Sequence, residues 1–178
     1  MRSLVAIGLI TLLPHAAVAQ SIADPGSWTA TPFISVSFGS DAGSLGVGLA
    51  VGYDFTANVG VEGEVSHLFD VAGDDSNVDR SVTGFNANVL YHFDVRQVTP
   101  YATVGLGFER DSVDVKNPDP LALYAPSSTE VVFNFGGGAK YRVTDRLIAR
   151  ADLRRFEAND IAPDYWRLYA GLTFGWRR

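Results

Sequence analysis

Bulky apolar and small or polar residues alternate along most of this chain. Between residues 166 and 176 every even position is apolar, from Trp166 to Trp176, and the odd positions are polar, charged or glycine. Successive side chains of a β-strand point to opposite faces, so this pattern predicts a strand with one bulky apolar face. Seven more segments repeat the pattern: residues 28–38, 45–55, 59–69, 82–93, 100–109, 131–142 and 147–155.

The polarity of the two faces is the inverse of that expected for a soluble barrel. The bulky residues share one face, whereas the glycines and the charged residues share the other, as in a barrel surrounded by lipid. Each segment has about the length of a tilted membrane strand, ~9–11 residues. The connections alternate between short turns and longer polar loops such as 70–81 and 110–130, although the first, 39–44, is short. We therefore predict an all-β fold, an eight-stranded antiparallel up-and-down transmembrane β-barrel closed by pairing of its last strand with its first.

The first residues have the features of an export signal. Arg2 provides a positive start, residues 4–13 form a short apolar run, and Ala17 to Ala19 provide a small-residue cleavage site. The run is shorter than the ~20 residues that a membrane-spanning helix needs. We predict a signal peptide at 1–19 and one barrel domain at 20–178, exported through the periplasm to the outer membrane.

Composition excludes several classes of function. The chain has 14 basic and 20 acidic side chains, a net charge of −6, which argues against nucleic acid as a partner. It has no cysteine, so disulfides and thiolate catalysis are excluded. The acidic run Asp74 to Asp79 lacks the glycine and the closing glutamate of a calcium-binding loop. We predict no metal site and no cofactor.

Aromatic residues concentrate near the ends of the predicted strands. Such girdles mark the two interfaces of a membrane barrel. With periplasmic termini, the periplasmic girdle is predicted to comprise Trp28, Tyr53, Phe55, Tyr91, Phe93, Tyr141, Phe174 and Trp176. Phe38, Phe69, Phe85, Phe108, Phe133 and Trp166 fall toward the opposite ends.

The polar face carries charges of both signs. The predicted lumen network comprises Glu62, Glu64, Glu109, Lys140, Arg142, Arg150, Asp152, Arg154 and Arg167. An eight-stranded barrel is just wide enough for side chains to fill its interior, so these charges must pair. We interpret them as a salt-bridge core that plugs the lumen, with a narrow ion pathway as the alternative.

The residues with catalytic potential do not form a recognisable catalytic site. Glu62 and Glu64 could form an acid–base pair, but charge neutralisation by the basic residues opposite is the simpler explanation. Ser66 and His67 are adjacent in one strand and must face opposite ways, so they cannot form a dyad. We predict no catalytic residue. In the longest loop, the apolar stretch 121–125 is expected to pack over the barrel mouth, with contact to a partner as the alternative.

Four segments carry a resemblance to a known family. The chain resembles the small outer-membrane β-barrels that include OmpX and the membrane domain of OmpA, through 99–108 (TPYATVGLGF), 135–141 (FGGGAKY), 147–154 (LIARADLR) and 168–174 (LYAGLTF). The resemblance implies a monomer in a Gram-negative outer membrane, inserted by the barrel-assembly machinery, with membrane lipid and lipopolysaccharide as neighbours. Family members serve as anchors, adhesins, immune-evasion surfaces or narrow pores, and no active-site residue comes with the resemblance. Such barrels usually end on an aromatic residue, whereas this chain continues with Arg177 and Arg178.

The function expected from these observations is a non-enzymatic outer-membrane barrel with a structural or surface-interaction role. The alternatives are a narrow pore for ions or small solutes and a lipid-modifying enzyme. A soluble carrier of the lipocalin kind is disfavoured, because the polar face is too rich in glycine and too poor in lysine to coat a soluble barrel.

Overall fold

Eight strands close into one barrel. The structure, a computed structural model, describes residues 25–39, 44–69, 78–93, 98–115, 127–158 and 164–177. The strands are β1 (Ser27–Gly39), β2 (Ser44–Asp54), β3 (Val59–Phe69), β4 (Val78–His92), β5 (Val98–Val115), β6 (Thr129–Arg142), β7 (Leu147–Ala158) and β8 (Tyr165–Arg177). Consecutive strands pair antiparallel and β8 pairs with β1, which confirms the predicted fold. The predicted signal peptide and the apolar loop stretch 121–125 lie outside the described residues. Among the residues described, no helix is long and apolar enough to cross a membrane.

Connections of two kinds define the two rims. The short-turn rim carries the links 55–58, 93–97 and 143–146 together with the start of β1 and the end of β8, where Ser27 pairs with Arg177. The long-loop rim carries the links 40–43, 70–77, 116–128 and 159–164. This arrangement is typical of outer-membrane barrels, whose short turns are periplasmic.

The strand register gives the barrel its stagger. A row of paired residues that leaves Thr129 of β6 passes through Arg110, Thr83, His67, Val47, Ile34, Ala170 and Ala151 and returns to β6 at Ala139. The circuit therefore returns ten residues nearer the short-turn rim. A stagger of this kind accompanies the strand tilt that closes a barrel.

Alternation places the bulky residues outside. In β1, for example, Ile34 and Val36 are exposed, whereas Ser35 and Ser37 point inward and are buried. The residues predicted for the periplasmic girdle lie toward the short-turn rim; Tyr53 is half-buried and the other seven are exposed. Since apolar side chains line the outside, the contact that stabilises this wall is with lipid rather than with a protein core.

Three strands extend three or more residues further toward the long-loop rim than the alternation predicted. β4 begins at Val78 rather than at residue 82, β5 continues to Val115 rather than to 109, and β7 ends at Ala158 rather than at 155. Asp79, Asp111 and Asp114, which were assigned to loops, therefore lie in a β4–β5 ribbon. These ends were missed because a strand that rises above the bilayer needs no apolar face, so its sequence does not alternate.

Inward-facing glycines make room for large side chains in the lumen. A Cβ placed on Gly48 would overlap the ring of Phe33 and approach the carbonyl oxygen of Val65 to 2.6 Å. A Cβ placed on Gly63, which faces outward, would meet nothing within 4 Å.

These two glycines provide a matched test of packing in the lumen. Gly48→Ala should lower the free energy of unfolding by ~1–3 kcal/mol, because overpacking displaces the Phe33 ring. Gly63→Ala should leave it unchanged or raise it by ~0.4–1 kcal/mol, since only the unfolded chain loses freedom. Urea unfolding of the refolded barrel in detergent measures both. Equal effects would contradict the packing of Phe33 against Gly48.

Candidate functional site in the barrel lumen

One ion pair spans the lumen. β3 and β7 are four strands apart in a ring of eight, so they face each other across the barrel. Glu62 on β3 accepts two hydrogen bonds from the Arg150 guanidinium on β7, of which Nη2 to Oε1 is 3.1 Å long. The Arg150 Nε also donates to the Tyr101 hydroxyl at 2.7 Å. The bidentate pair thus links opposite walls with fixed geometry.

Further charges extend this pair into a network. Arg154 Nη1 donates to Glu64 at 3.0 Å, and its Nη2 donates to Asp152 at 2.9 Å. Glu64 also accepts from Arg167, whose other nitrogen donates to the Ser66 hydroxyl at 3.2 Å. Six of the nine predicted charges are thus joined by ion pairs, and from this point the name lumen network denotes these six: Glu62, Glu64, Asp152, Arg150, Arg154 and Arg167.

The charges of the lumen network balance. It contains three carboxylates and three guanidinium groups, and no side chain in it is more than 3% exposed. Buried charges of this kind persist only when each is paired and hydrogen-bonded. The network therefore holds its members in one arrangement.

Aromatic rings fill the space around the guanidinium groups. The Arg150 guanidinium carbon lies 4.9 Å from the ring centre of Tyr101 and 5.1 Å from that of Tyr169. The Arg167 guanidinium lies 4.4 Å from the ring of Phe156, and the rings of Phe33 and Tyr169 are 4.6 Å apart. Such cation–π contacts are worth more where water is excluded. Phe33 and Phe156 were not predicted as lumen residues. Alternation could have placed them there, because each lies two residues from an inward-facing residue, Ser35 and Arg154 respectively.

The other charges predicted for the lumen lie toward its two ends. Near the long-loop rim, Glu109 accepts a hydrogen bond from the Tyr165 hydroxyl. Near the short-turn rim, Lys140 Nζ lies 2.8 Å from His92 Nε2, and half-buried Arg142 ends β6. Lys140 pairs in register with Arg150, which places it beside the lumen network on the neighbouring strand.

The lumen is filled differently on its two sides. Toward β1, β2 and β8, Phe33, Ala50 and Tyr169 form a small apolar cluster. Toward β4 and β5, both polar atoms of the Asn88 amide and the Thr103 hydroxyl are buried without a hydrogen-bond partner among the described residues. The lumen network thus separates an apolar side from an amide-lined side.

Two residues with catalytic potential face opposite ways through the wall. Ser66 is buried in the lumen, where Arg167 contacts it, whereas His67 points outward, and its Nδ1 lies 3.0 Å from the Thr83 hydroxyl. Within the part of the chain that the structure describes, no carboxylate contacts His67, and no group of three or more His, Asp or Glu side chains is arranged to hold a metal ion. Ser66 and His67 therefore lie on opposite faces of the barrel wall.

Removing one charge from the lumen network should be costly. Glu62→Gln leaves Arg150 without its bidentate partner, and breaking a buried pair costs ~3–5 kcal/mol of unfolding free energy. The control is Glu157→Gln, whose side chain is 47% exposed and lies 3.9 Å from Arg155; an exposed pair contributes at most ~1 kcal/mol. Urea unfolding compares the two variants. A loss at Glu62 no larger than the loss at Glu157 would show that the network does not hold the lumen together.

Comparisons with known proteins agree with the barrel and its outward apolar wall. The family model of the outer membrane protein beta-barrel domain matches residues 3–177 of this chain. No curated protein sequence matches the chain.

Several solved structures share the fold at low sequence identity. The N-terminal β-barrel domain of OprF from Pseudomonas aeruginosa superposes with a TM-score of 0.63 at 21% identity, covering 85% of this chain and 98% of that one. Neisserial surface protein A gives 0.63 at 19% identity, with 83% and 95% covered. Ail, the attachment invasion locus protein of Yersinia pestis, gives 0.61 at 14% identity, with 86% and 100% covered. The chain belongs to the outer membrane protein β-barrel domain family and is a protein of the outer membrane.

Proposed function

We propose that this protein is a non-enzymatic outer-membrane barrel with a structural or surface-interaction role, its lumen plugged by charged side chains. The observation that carries the proposal is the bidentate contact of Arg150 with Glu62 across the barrel diameter. A solute that passed through the lumen would have to displace this pair, and each partner would then lose its bidentate contact while remaining buried.

The rest of the lumen network supports a permanent plug. Glu62 and Glu64 are each shared by two guanidinium groups, so separation of one pair weakens the next. The apolar cluster of Phe33, Ala50 and Tyr169 fills the neighbouring side. An eight-stranded barrel has little interior volume left after such filling.

The proposed partners follow from the position of the barrel in the membrane. Its outer wall contacts membrane lipid, including lipopolysaccharide in the outer leaflet, and its insertion depends on the barrel-assembly machinery. We propose that it acts as a monomer, because closure of β1 on β8 leaves no strand edge in the wall for a second copy. A surface interaction would use the links 70–77 and 116–128 at the long-loop rim.

A narrow pore is the second candidate, favoured by the amide-lined side of the lumen. Buried Asn88 and Thr103 present polar atoms that no described residue satisfies. A buried polar group without a protein partner generally requires water. A thin hydrated path along β4 and β5 would supply that water.

Conductance separates the plug from the pore. Reconstituted in a planar bilayer, the wild-type barrel should show no stable conductance steps, whereas Glu62→Ala combined with Arg150→Ala should produce them by opening the diameter. A heat-dependent shift in gel migration checks that the variant remains folded. Steady wild-type steps that Asn88→Leu reduces would favour the pore and contradict the plug.

A lipid-modifying enzyme is the remaining candidate, and His67 beside Thr83 on the outer wall is the observation that favours it. The pair has no acidic partner among the described residues to orient the imidazole, as hydroxyl nucleophiles generally require. Incubation of the refolded barrel with phospholipid and with lipid A should therefore release no fatty acid, as followed by mass spectrometry. Release that Thr83→Val abolishes would establish the enzyme instead.

A further inference from the structure

One register row on the outside of the barrel changes from polar to apolar along its length. It passes in order through Arg110, Thr83, His67, Val47, Ile34 and Ala170. The first three residues are polar and the last three are apolar, and all six face outward. We call this set of six residues the amphiphilic row.

The amphiphilic row descends through the outer half of the membrane. A full circuit of such a row drops by ten residues along β6, from Thr129 to Ala139. At ~3.3 Å per residue and a strand tilt of ~40°, the drop is roughly 25 Å along the barrel axis. A full circuit takes eight steps from one strand to the next, and five of these steps separate Arg110 from Ala170. Ala170 therefore lies roughly 16 Å deeper than Arg110 along the barrel axis. The polar end is thus at the extracellular interface and the apolar end is near mid-membrane.

An apolar groove follows the lower part of the amphiphilic row. Its volume is about 530 Å³, and its lining includes Ile34, Val36, Leu45, Val47, Phe69 and Ala170. The small side chains of Ala151 and Ala170, which are neighbours in register, form the floor of the groove. The larger side chains of Ile34 and Leu45, which are 68% and 67% exposed, form its sides. Val47 and Leu45 pair with His67 and Phe69, so the upper end of the groove meets the polar residues directly.

The polar end of the row carries an exposed cation. Arg110 is exposed, and its side chain makes no hydrogen bond or ion pair within the described residues. Its register neighbours are Thr83 and Thr129, and Thr83 is bonded to His67 at 3.0 Å. The adjacent Glu109 points into the lumen, where it bonds Tyr165, so it does not neutralise Arg110.

We propose that the amphiphilic row binds one phosphate-bearing lipid of the outer leaflet. The phosphate lies at Arg110 and Thr83, beside His67, and an acyl chain follows the groove toward Ala170. The inference rests on the outer-membrane location and on the lipid contact proposed above. It does not depend on whether the lumen conducts.

The chemistry of the row selects this ligand. A guanidinium group donates hydrogen bonds to phosphate in a geometry that matches its oxygens, and a neighbouring hydroxyl adds another donor. A soluble phosphate compound would gain nothing from an apolar groove that opens into the membrane. A lipid gains from both ends, because Thr83 and His67, the register neighbours that follow Arg110, lead directly to Val47 at the upper part of the groove.

Native mass spectrometry of the full barrel, released from detergent micelles doped with bisphosphorylated lipid A, tests the proposal. The wild type should retain one bisphosphorylated lipid A per barrel and should retain dephosphorylated lipid A less well. Arg110→Gln should weaken retention of bisphosphorylated lipid A about tenfold, as expected for loss of one charged hydrogen bond. Ala170→Leu, which raises the floor of the groove, should weaken retention of both forms of lipid A.

Matched variants separate the site from general effects of charge and bulk. Arg146→Gln removes an exposed arginine at the opposite rim, and Ala102→Leu adds the same bulk to the outer wall away from the groove. Both should retain lipid A like the wild type, and all variants should show heat-dependent gel migration. Equal retention of the phosphorylated and dephosphorylated forms, or an Arg110→Gln variant equal to Arg146→Gln, would overturn the phosphate site. An Ala170→Leu variant equal to Ala102→Leu would overturn the groove, and a barrel dimer that Ala170→Leu dissociates would show that a second copy occupies it.

Discussion

The contact of Glu62 with Arg150 is the interaction on which this barrel depends. The outer wall cannot specify the fold by burial, because its apolar side chains contact lipid rather than a protein core. Order inside the barrel must then come from polar contacts, which are directional and strong where water is excluded. A bidentate pair across the diameter fixes the distance between β3 and β7 and, through the register, the positions of the strands between them.

The same requirement explains the glycines of the inner face. A large side chain that fills the lumen needs small neighbours on the same inner face, and Gly48, the register partner of Phe33 on the next strand, shows how little space is left. Small residues on the inner face and large ones on the outer face are therefore two consequences of one geometry.

Much of this architecture could be read from the sequence, because alternation with period two reports which face a residue occupies. Arg150, Asp152 and Arg154 could be placed on one inner face from their spacing alone. Glu62 and Glu64 could be named as their partners across the lumen, but not which arginine bonds which glutamate. That pairing depends on the stagger of ten residues, which no local pattern encodes. The end of β5 at Val115 was missed for a related reason: above the membrane both faces of a strand meet water, and the alternation disappears.

Barrels of this fold share little of the sequence of this chain. Proteins at 14–21% identity adopt the same closed barrel, so the fold requires the pattern of polarity rather than particular residues. Arg110 is not required by that pattern, because a serine or a threonine would satisfy an outward position at the interface equally well. Its charge is left exposed at the end of a row that becomes wholly apolar toward Ala170. A charge that neither the wall nor the lumen network uses is most simply explained by a ligand outside the barrel.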